Sequence, residues 1–280
     1  MGGGGGRGYI IPPSNQPYSL SGSNDNHMAY NMYQSWVTSW NYLKEVIKAI
    51  FSDEPPGFFV EAGALDGEYI SNTLDLERLS GWEGLLVEVD EELFSRLKKK
   101  NRKAWISNAC LATFPYPHQT ILVKFENHGM PDDRLALPLK GNNVLMQSKD
   151  LDEKMTIGLP VYQPAQCFPL QTLLLAINVT NVNLISLDVE GVEMDVLNSF
   201  FSSKGTITVD VWIVEHQHHN SNLEDNDHVD RHFIYWFQSK GYTLYTFGSY
   251  SPKDYIFIRN GSSIYEKSFS SRPAKFIKTF

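Results

Sequence analysis

From residue 27 to residue 51, apolar side chains recur at three- and four-residue steps: Met28, Met32, Trp36, Trp40, Leu43, Ile47 and Ile50. That spacing places them on one stripe of an amphipathic helix, which Pro55, Pro56 and Gly57 end. The stripe is either a packing face or part of a lid in which Tyr30, Tyr33 and Trp36 touch a ligand. After residue 57, short apolar runs alternate with helical patterns. Strands are expected over 58–61, 85–89, 104–110, 121–126, 184–189, 209–215, 242–247 and 255–258. Helices are expected over 70–79, with Gly81 as its C-terminal cap, and over 90–100, 170–178, 193–200 and 229–240. The helix over 90–100 carries acids at its start and lysines at its end, which suits the helix dipole. Strand and helix alternating in this way predict an α/β fold, a mostly parallel sheet with helices on both faces. Residues 131–166 fit neither period and are long for a plain loop, so they read as an insertion or an active-site lid. The expected organisation is a flexible Gly/Pro/Ser arm over 1–26, an N-terminal helix over 27–54, the α/β domain over 55–262 and a tail over 263–280.

Of the 280 residues, 42% are hydrophobic and 20% charged, which supplies a core and excludes wholesale disorder. The formal charge of −8 opposes gripping a phosphate backbone, so no nucleic acid is expected as partner. The run Lys98, Lys99, Lys100, Arg102, Lys103 reads as a solvated helix end. Cys110 and Cys167 are too few for a disulfide scaffold or a Cys-rich zinc module, and read as buried apolar fillers. No apolar run approaches the roughly 20 residues of a membrane helix. The opening glycines are not the apolar stretch of a signal peptide, so this chain alone points to the cytoplasm. Two glycosylation sequons, Asn178-Val179-Thr180 and Asn260-Gly261-Ser262, matter only if the domain is lumenal.

Candidate chemistry concentrates in Phe59-Val60-Glu61-Ala62-Gly63-Ala64-Leu65-Asp66-Gly67. A buried strand ends in a carboxylate, and a Gly-x-x-x-Gly turn then opens a helix. Gly63 permits a tight turn, and Gly67 is expected to let a ligand approach the backbone. Glu88, 21 positions past Gly67, stands near the end of the next strand, where a carboxylate can accept both hydroxyls of a ribose. The middle glycine of a dinucleotide fingerprint is absent, and Glu61 and Asp66 repel a pyrophosphate. Such a site suits a cation that carries an amino group and a ribose, namely S-adenosylmethionine. Asp188, at another strand end, could orient or deprotonate a hydroxyl. Glu190 is placed to point into the site, and Glu193 to tie down a helix start. In Glu215-His216-Gln217-His218-His219, His216 is a general-base candidate. The histidines near Asp188 also suit a divalent metal, an alternative less favoured than a solvated loop.

One motif carries a resemblance. Leu187-Asp188-Val189-Glu190-Gly191-Val192-Glu193 matches the Asp-x-Glu-Gly-x-Glu at a strand end that marks the FkbM family of class I methyltransferases. Residues 57–63, Ser71-Asn72-Thr73-Leu74, residues 84–88 and Asn101-Arg102-Lys103-Ala104-Trp105 resemble its animal Star-like branch. The resemblance spans roughly residues 57–258. It implies a Rossmann-like fold with a mostly parallel seven-stranded sheet, S-adenosylmethionine as cofactor, and methylation of a hydroxyl on a small-molecule or glycan acceptor. Cofactor contacts are expected from Glu61, Gly63, Ala64, Gly67, Asn72, Glu88, Asn108, Ala109 and Asp188, and the residues read above as catalytic candidates are Asp188, His216 and Glu190. Star-like proteins are otherwise associated with trafficking of growth-factor ligands in the endoplasmic reticulum and Golgi. That leaves a non-catalytic module with a protein cargo, in that compartment, as the alternative.

Overall fold

The run Phe58–Ala62 is buried at all five positions and forms β2, the strand from which the main sheet extends both ways. The computed structural model describes residues 8–20, 34–126, 143–155, 159–203, 205–216, 229–248 and 253–270. On one side of β2 lies β3 (Glu83–Val87), parallel, then β4 (Trp105–Ser107), parallel, then β1 (Ile10–Ile11), antiparallel. On the other side lie β9 (Asn181–Leu187) and β10 (Thr208–His216), both parallel, then β12 (Lys253–Arg259), antiparallel to β10, and β11 (Tyr242–Phe247), antiparallel to β12 and so parallel to the centre. The order is β1-β4-β3-β2-β9-β10-β12-β11. The expected parallel centre is present, but the sheet has eight strands instead of seven and is mixed at its edges. Chain direction switches sides between β2 and β9, the place where open α/β sheets leave a crevice beyond their carboxyl ends.

Strand alternation sorts the core into two layers. Val60, Ala62, Leu85, Val87, Ile185, Leu187, Trp212 and Val214 face α5 (Leu170–Ala176), α6 (Glu193–Ser202) and α7 (Arg231–Ser239). Phe59, Leu86, Leu184, Val211, Ile213 and Ile256 face the other way. They meet α1 (Gln34–Phe51), α2 (Leu74–Ser80), α3 (Glu91–Lys99) and α8 (Ser263–Ser270). In α1 the expected stripe is buried at Leu43, Ile47 and Ile50. Trp40 of α1 donates its Nε1–H to the carbonyl of Ser71 at 3.2 Å, which ties the helix to the loop after β2. Met28, Tyr30, Met32 and Tyr33, and tail residues 271–280, lie outside the described residues.

Three expectations need correction. Residues 8–20 of the arm lie along the sheet edge. Asn108 N–H donates to Tyr9 O, Ser14 N–H to Arg102 O and Ser19 N–H to Lys100 O, at 3.0–3.2 Å. Tyr9 packs edge-on against Phe94, and Lys103 Nζ sits 5.0 Å over the Tyr18 ring. Backbone hydrogen bonds hold this segment, so its polar composition gave no sign of order.

The expected strand over 104–110 breaks at Asn108 and Ala109, where the chain leaves the main sheet for a second one. That sheet has the order β5-β8-β6-β7, from β5 (Cys110–Leu111), β8 (Leu159–Phe168), β6 (His118–Glu126) and β7 (Val144–Leu145). The described part of the expected lid thus includes β7 and most of β8, with the short helix α4 (Leu151–Lys154); residues 131–142 and 156–158 lie outside the described residues. Pro160 and Pro164 hid β8. They are tolerated because, among the described residues, β5 pairs only with Cys167 and Phe168, leaving the rest of that edge without a ladder to complete.

Finally, Cys110 and Cys167 are buried as expected but are joined. They face each other in register across β5 and β8, with Cα atoms 4.3 Å apart, in a disulfide. The bridge closes a separation of 57 residues, for which chain entropy predicts about 4 kcal/mol of stabilisation. Replacing both cysteines by alanine should lower the unfolding free energy of the oxidised protein by that amount in urea titration. Equal midpoints would show that the bridge does not hold the second sheet.

Candidate functional site

The loop after β2 is shaped by close approaches between protein groups. Gly63 has φ +87°, and a Cβ there would lie 2.0 Å from the Asp188 carbonyl oxygen. Gly67 has φ +78°, and a Cβ there would meet Leu97 of α3 at 2.3 Å. Neighbouring protein therefore demands glycine at 67, in place of the ligand approach that its spacing suggests. Gly63 and Ala64 N–H both donate to Val87 O at 3.1 Å, fixing the loop to the end of β3. Leu65 (φ 49°) and the β-branched Ile70 (φ 45°) are also left-handed. Such conformations cost about 1–3 kcal/mol each, and they explain why α2 begins at Leu74 and not near residue 70.

A buried polar network holds that loop. Glu61, at the end of β2 and 5% exposed, accepts from Ser71 Oγ at 2.8 Å, Asn72 N at 2.8 Å and Thr73 Oγ1 at 2.5 Å. On the far side stands Arg102, 2% exposed. Its guanidinium donates to Glu77 Oε2 at 2.9 Å, Thr73 Oγ1 at 3.2 Å, Ser71 Oγ at 3.3 Å and the Gly67 carbonyl. Arg102 was expected at a solvated helix end; it is the buried counter-charge of Glu77. Of the same run, Lys100 pairs with Asp66 at 3.3 Å and Glu68 at 2.6 Å. Asp66 in turn accepts from Glu68 N and Tyr69 N, so its charge is spent within the loop.

Asn72 presents a different case. Its Nδ2 donates to Ser186 Oγ of β9 at 3.0 Å, while its Oδ1 is buried with no hydrogen-bond partner in the structure. A buried orphan acceptor is costly and calls for a donor. Glu88, just past β3, accepts from Leu65 N and Asp90 N, both at 2.8 Å. Burial pushes its carboxyl up to about 8; the charge of Asp90 adds to this, while the backbone donors pull it down. Two bonds leave acceptor capacity on the carboxylate. Asn108 Nδ2 donates to the Glu88 carbonyl at 3.0 Å and the Val89 carbonyl at 3.3 Å, and Ala109 is buried beside it.

Asp188 is exposed at the end of β9. Val214 pairs with Leu187, so the next residue of β10, Glu215, comes beside Asp188. Glu215 also stands opposite Asp254 of β12. Burial, the charges of Asp188, Glu190 and Asp254, and a hydrogen bond with Asp188 hold the Glu215 carboxyl well above its ordinary value. Facing carboxyls tolerate one another only if a proton is shared. Sequence reasoning passed over Glu215 and Asp254 as site residues; the alternation Val211, Ile213, Glu215 was the available signal. Glu190 is left-handed (φ 55°), and its carbonyl accepts from Ser148 Oγ at 2.6 Å. Glu193 accepts from Val189 N and Gly191 N at 3.0 Å, closing the start of α6 as expected. Burial and the charge of Asp188 push it up to about 7, against those donors.

His216 is not brought to Asp188. One residue beyond Glu215, it points to the opposite face of the sheet. There its Nε2 lies 3.0 Å from Asp230 Oδ2, and its ring stacks on Phe233 with centroids 4.1 Å apart. A general-base role beside Asp188 is therefore corrected. His218 and His219 lie outside the described residues, among which no group of three or more His, Cys, Asp or Glu is placed to hold a metal.

Glu61, Asn72, Glu88, Asp188 and Glu215 thus share the α1–α3 face at the carboxyl ends of consecutive parallel strands. Residues 61–244 match the family model described as methyltransferase FkbM domain. No curated protein matches the chain.

Two outcomes follow from this geometry. Arg102→Met should destabilise the protein by about 3–5 kcal/mol, because it strands Glu77 in the core; adding Glu77→Gln should recover much of the loss in the same chemical-denaturation assay. Glu88, Glu193 and Glu215 hold their protons above the ordinary value of 4.5. Their contribution is complete below that value and is lost as pH rises, through about 7 for Glu193 and about 8 for Glu88. The melting temperature should fall between about pH 5 and about pH 9, and Glu215→Gln, which keeps a donor toward Asp188, should flatten part of that fall. A parallel curve for the variant would remove Glu215 from the titrating set.

Proposed function

The chain belongs to the FkbM methyltransferase family, and from that premise we propose that it is an S-adenosylmethionine-dependent O-methyltransferase acting on a hydroxyl of a sugar or small metabolite. The observation that carries this reading is one sheet edge that holds a ribose-competent carboxylate, an orphan acceptor and a proton-sharing acid pair, in that order along the strand ends. These residues fit an adenosyl sulfonium. Asn72 Oδ1, buried without a donor, accepts from the methionine ammonium. Glu61 positions it by holding the Asn72 N–H and stands one step behind the ligand. Glu88 offers its remaining lone pairs to the ribose hydroxyls. Gly63 and Ala64, fixed to Val87, wall the crevice, as does Asn108-Ala109 on the adenine side.

When bound, the cofactor supplies a methyl group already activated on a positively charged sulfur. The protein's task is then alignment and removal of one proton. Asp188, exposed at the mouth, accepts the proton of the acceptor hydroxyl. Glu215 donates a hydrogen bond to Asp188 and tunes how strongly it holds that proton. Glu190 adds negative charge that favours a cationic ligand. A net charge of −8 agrees with such a ligand.

Calorimetric titration with S-adenosylmethionine and S-adenosylhomocysteine tests the reading. Binding is expected in the wild type and should weaken by about 1–3 kcal/mol, roughly 5- to 150-fold, in Glu88→Ala. Asp188→Asn should retain S-adenosylhomocysteine binding and lose transfer of labelled methyl to hydroxyl-bearing glycans. Absence of binding in the wild type would sink the proposal, and unchanged affinity in Glu88→Ala would take that residue out of the site.

A further inference from the structure

The disulfide gives meaning to two sequons that the sequence left conditional. Cys110 and Cys167 are 4% and 0% exposed and are bonded within the second sheet. Disulfides of this structural kind form and persist in oxidising compartments, and are rare where thiols are kept reduced. Both sequons are also well placed for modification. Asn178 follows α5 and precedes β9, so it lies at the amino end of the parallel strands; Asn178 and Thr180 are exposed. Asn260 follows β12, which runs antiparallel to β10, so it lies at the same pole and is exposed too. Its Oδ1 accepts from Thr243 Oγ1 at 2.7 Å, which leaves Nδ2, the atom a glycan takes, outside that bond. Glu88 and Asp188 stand at the opposite pole, beyond the carboxyl ends. Two bulky sugars on the amino pole would therefore leave the crevice open.

We propose that this domain matures in an oxidising, glycosylating lumen, where Asn178 and Asn260 receive N-linked glycans and Cys110 is bonded to Cys167. In the first reaction, Nδ2 of asparagine displaces the pyrophosphate of a lipid-linked oligosaccharide. A bond forms from Nδ2 to the anomeric carbon, the anomeric carbon–oxygen bond breaks, and the Nδ2 proton leaves with the lipid pyrophosphate. In the second, the two thiols give up two protons and two electrons to a disulfide-class oxidant, which becomes a dithiol. Ser262 is 4% exposed, with its Oγ donating to Arg259 O at 2.9 Å and accepting from Tyr265 N at 3.0 Å. Asn260 must then be modified before α8 folds over its sequon, whereas the sequon of Asn178 stays open in the folded chain.

The test uses the protein made in cultured eukaryotic cells from its complete native coding sequence, with thiols blocked at lysis. Peptide N-glycosidase should increase its gel mobility by two steps. Thr180→Ala and Asn260→Gln should each remove one step, and the double variant both. On the unmutated protein the same enzyme converts each glycosylated asparagine to aspartate, which peptide mass spectrometry reads without relying on any variant's folding. Unreduced digests should contain the Cys110 and Cys167 peptides linked. Unchanged mobility with asparagine intact at both positions, or blocked thiols on Cys110 and Cys167, would overturn the proposal.

Discussion

A single buried cation organises this domain. Arg102, between α3 and β4, has no solvent to neutralise it, and it would be untenable without Glu77 on one flank and the Ser71–Thr73 turn on the other. That turn in turn fills both oxygens of Glu61. Removing any one member would leave a charge or a donor in the core, so the members specify one another. The network spans β2, α2 and the segment before β4. It thereby offsets the left-handed backbone at Leu65 and Ile70 and keeps the loop in one shape.

With the loop fixed, the acids beyond it divide into two kinds. Those fully occupied by protein donors, Glu61, Asp66 and Glu193, hold backbone in place. Glu88, Asp188 and Glu215 instead keep acceptor capacity or a proton to share. Sequence position does not separate the two groups, because all six lie at strand ends, in turns or at a helix start. What separates them is which amides reach them, and that depends on loops folding back from distant parts of the chain.

The parallel centre of the sheet was legible because its strands are continuous apolar runs with helical periods between them. Most candidate acids were legible because strand ends can be counted from those runs. The eye failed where polar residues are ordered by backbone bonds, as in residues 8–20, and where prolines interrupt a strand with a free edge, as in β8. It failed again at Arg102, which sits in a basic run and gives no local sign of burial. The face of His216 required register: one residue of alternation separates it from Glu215, and only the pairing of Val214 with Leu187 fixes which of the two meets Asp188.

The short strand β1 carries one more implication. Open sheets invite self-association where their outermost amides and carbonyls are bare. Ile10 and Ile11 cover the free side of β4, and Pro12 and Pro13 follow at once, removing two amide donors from the new margin. This margin is too short and too poor in donors to template a neighbour. Trimming the chain ahead of residue 12 would uncover β4 and turn a blunted border into an adhesive one.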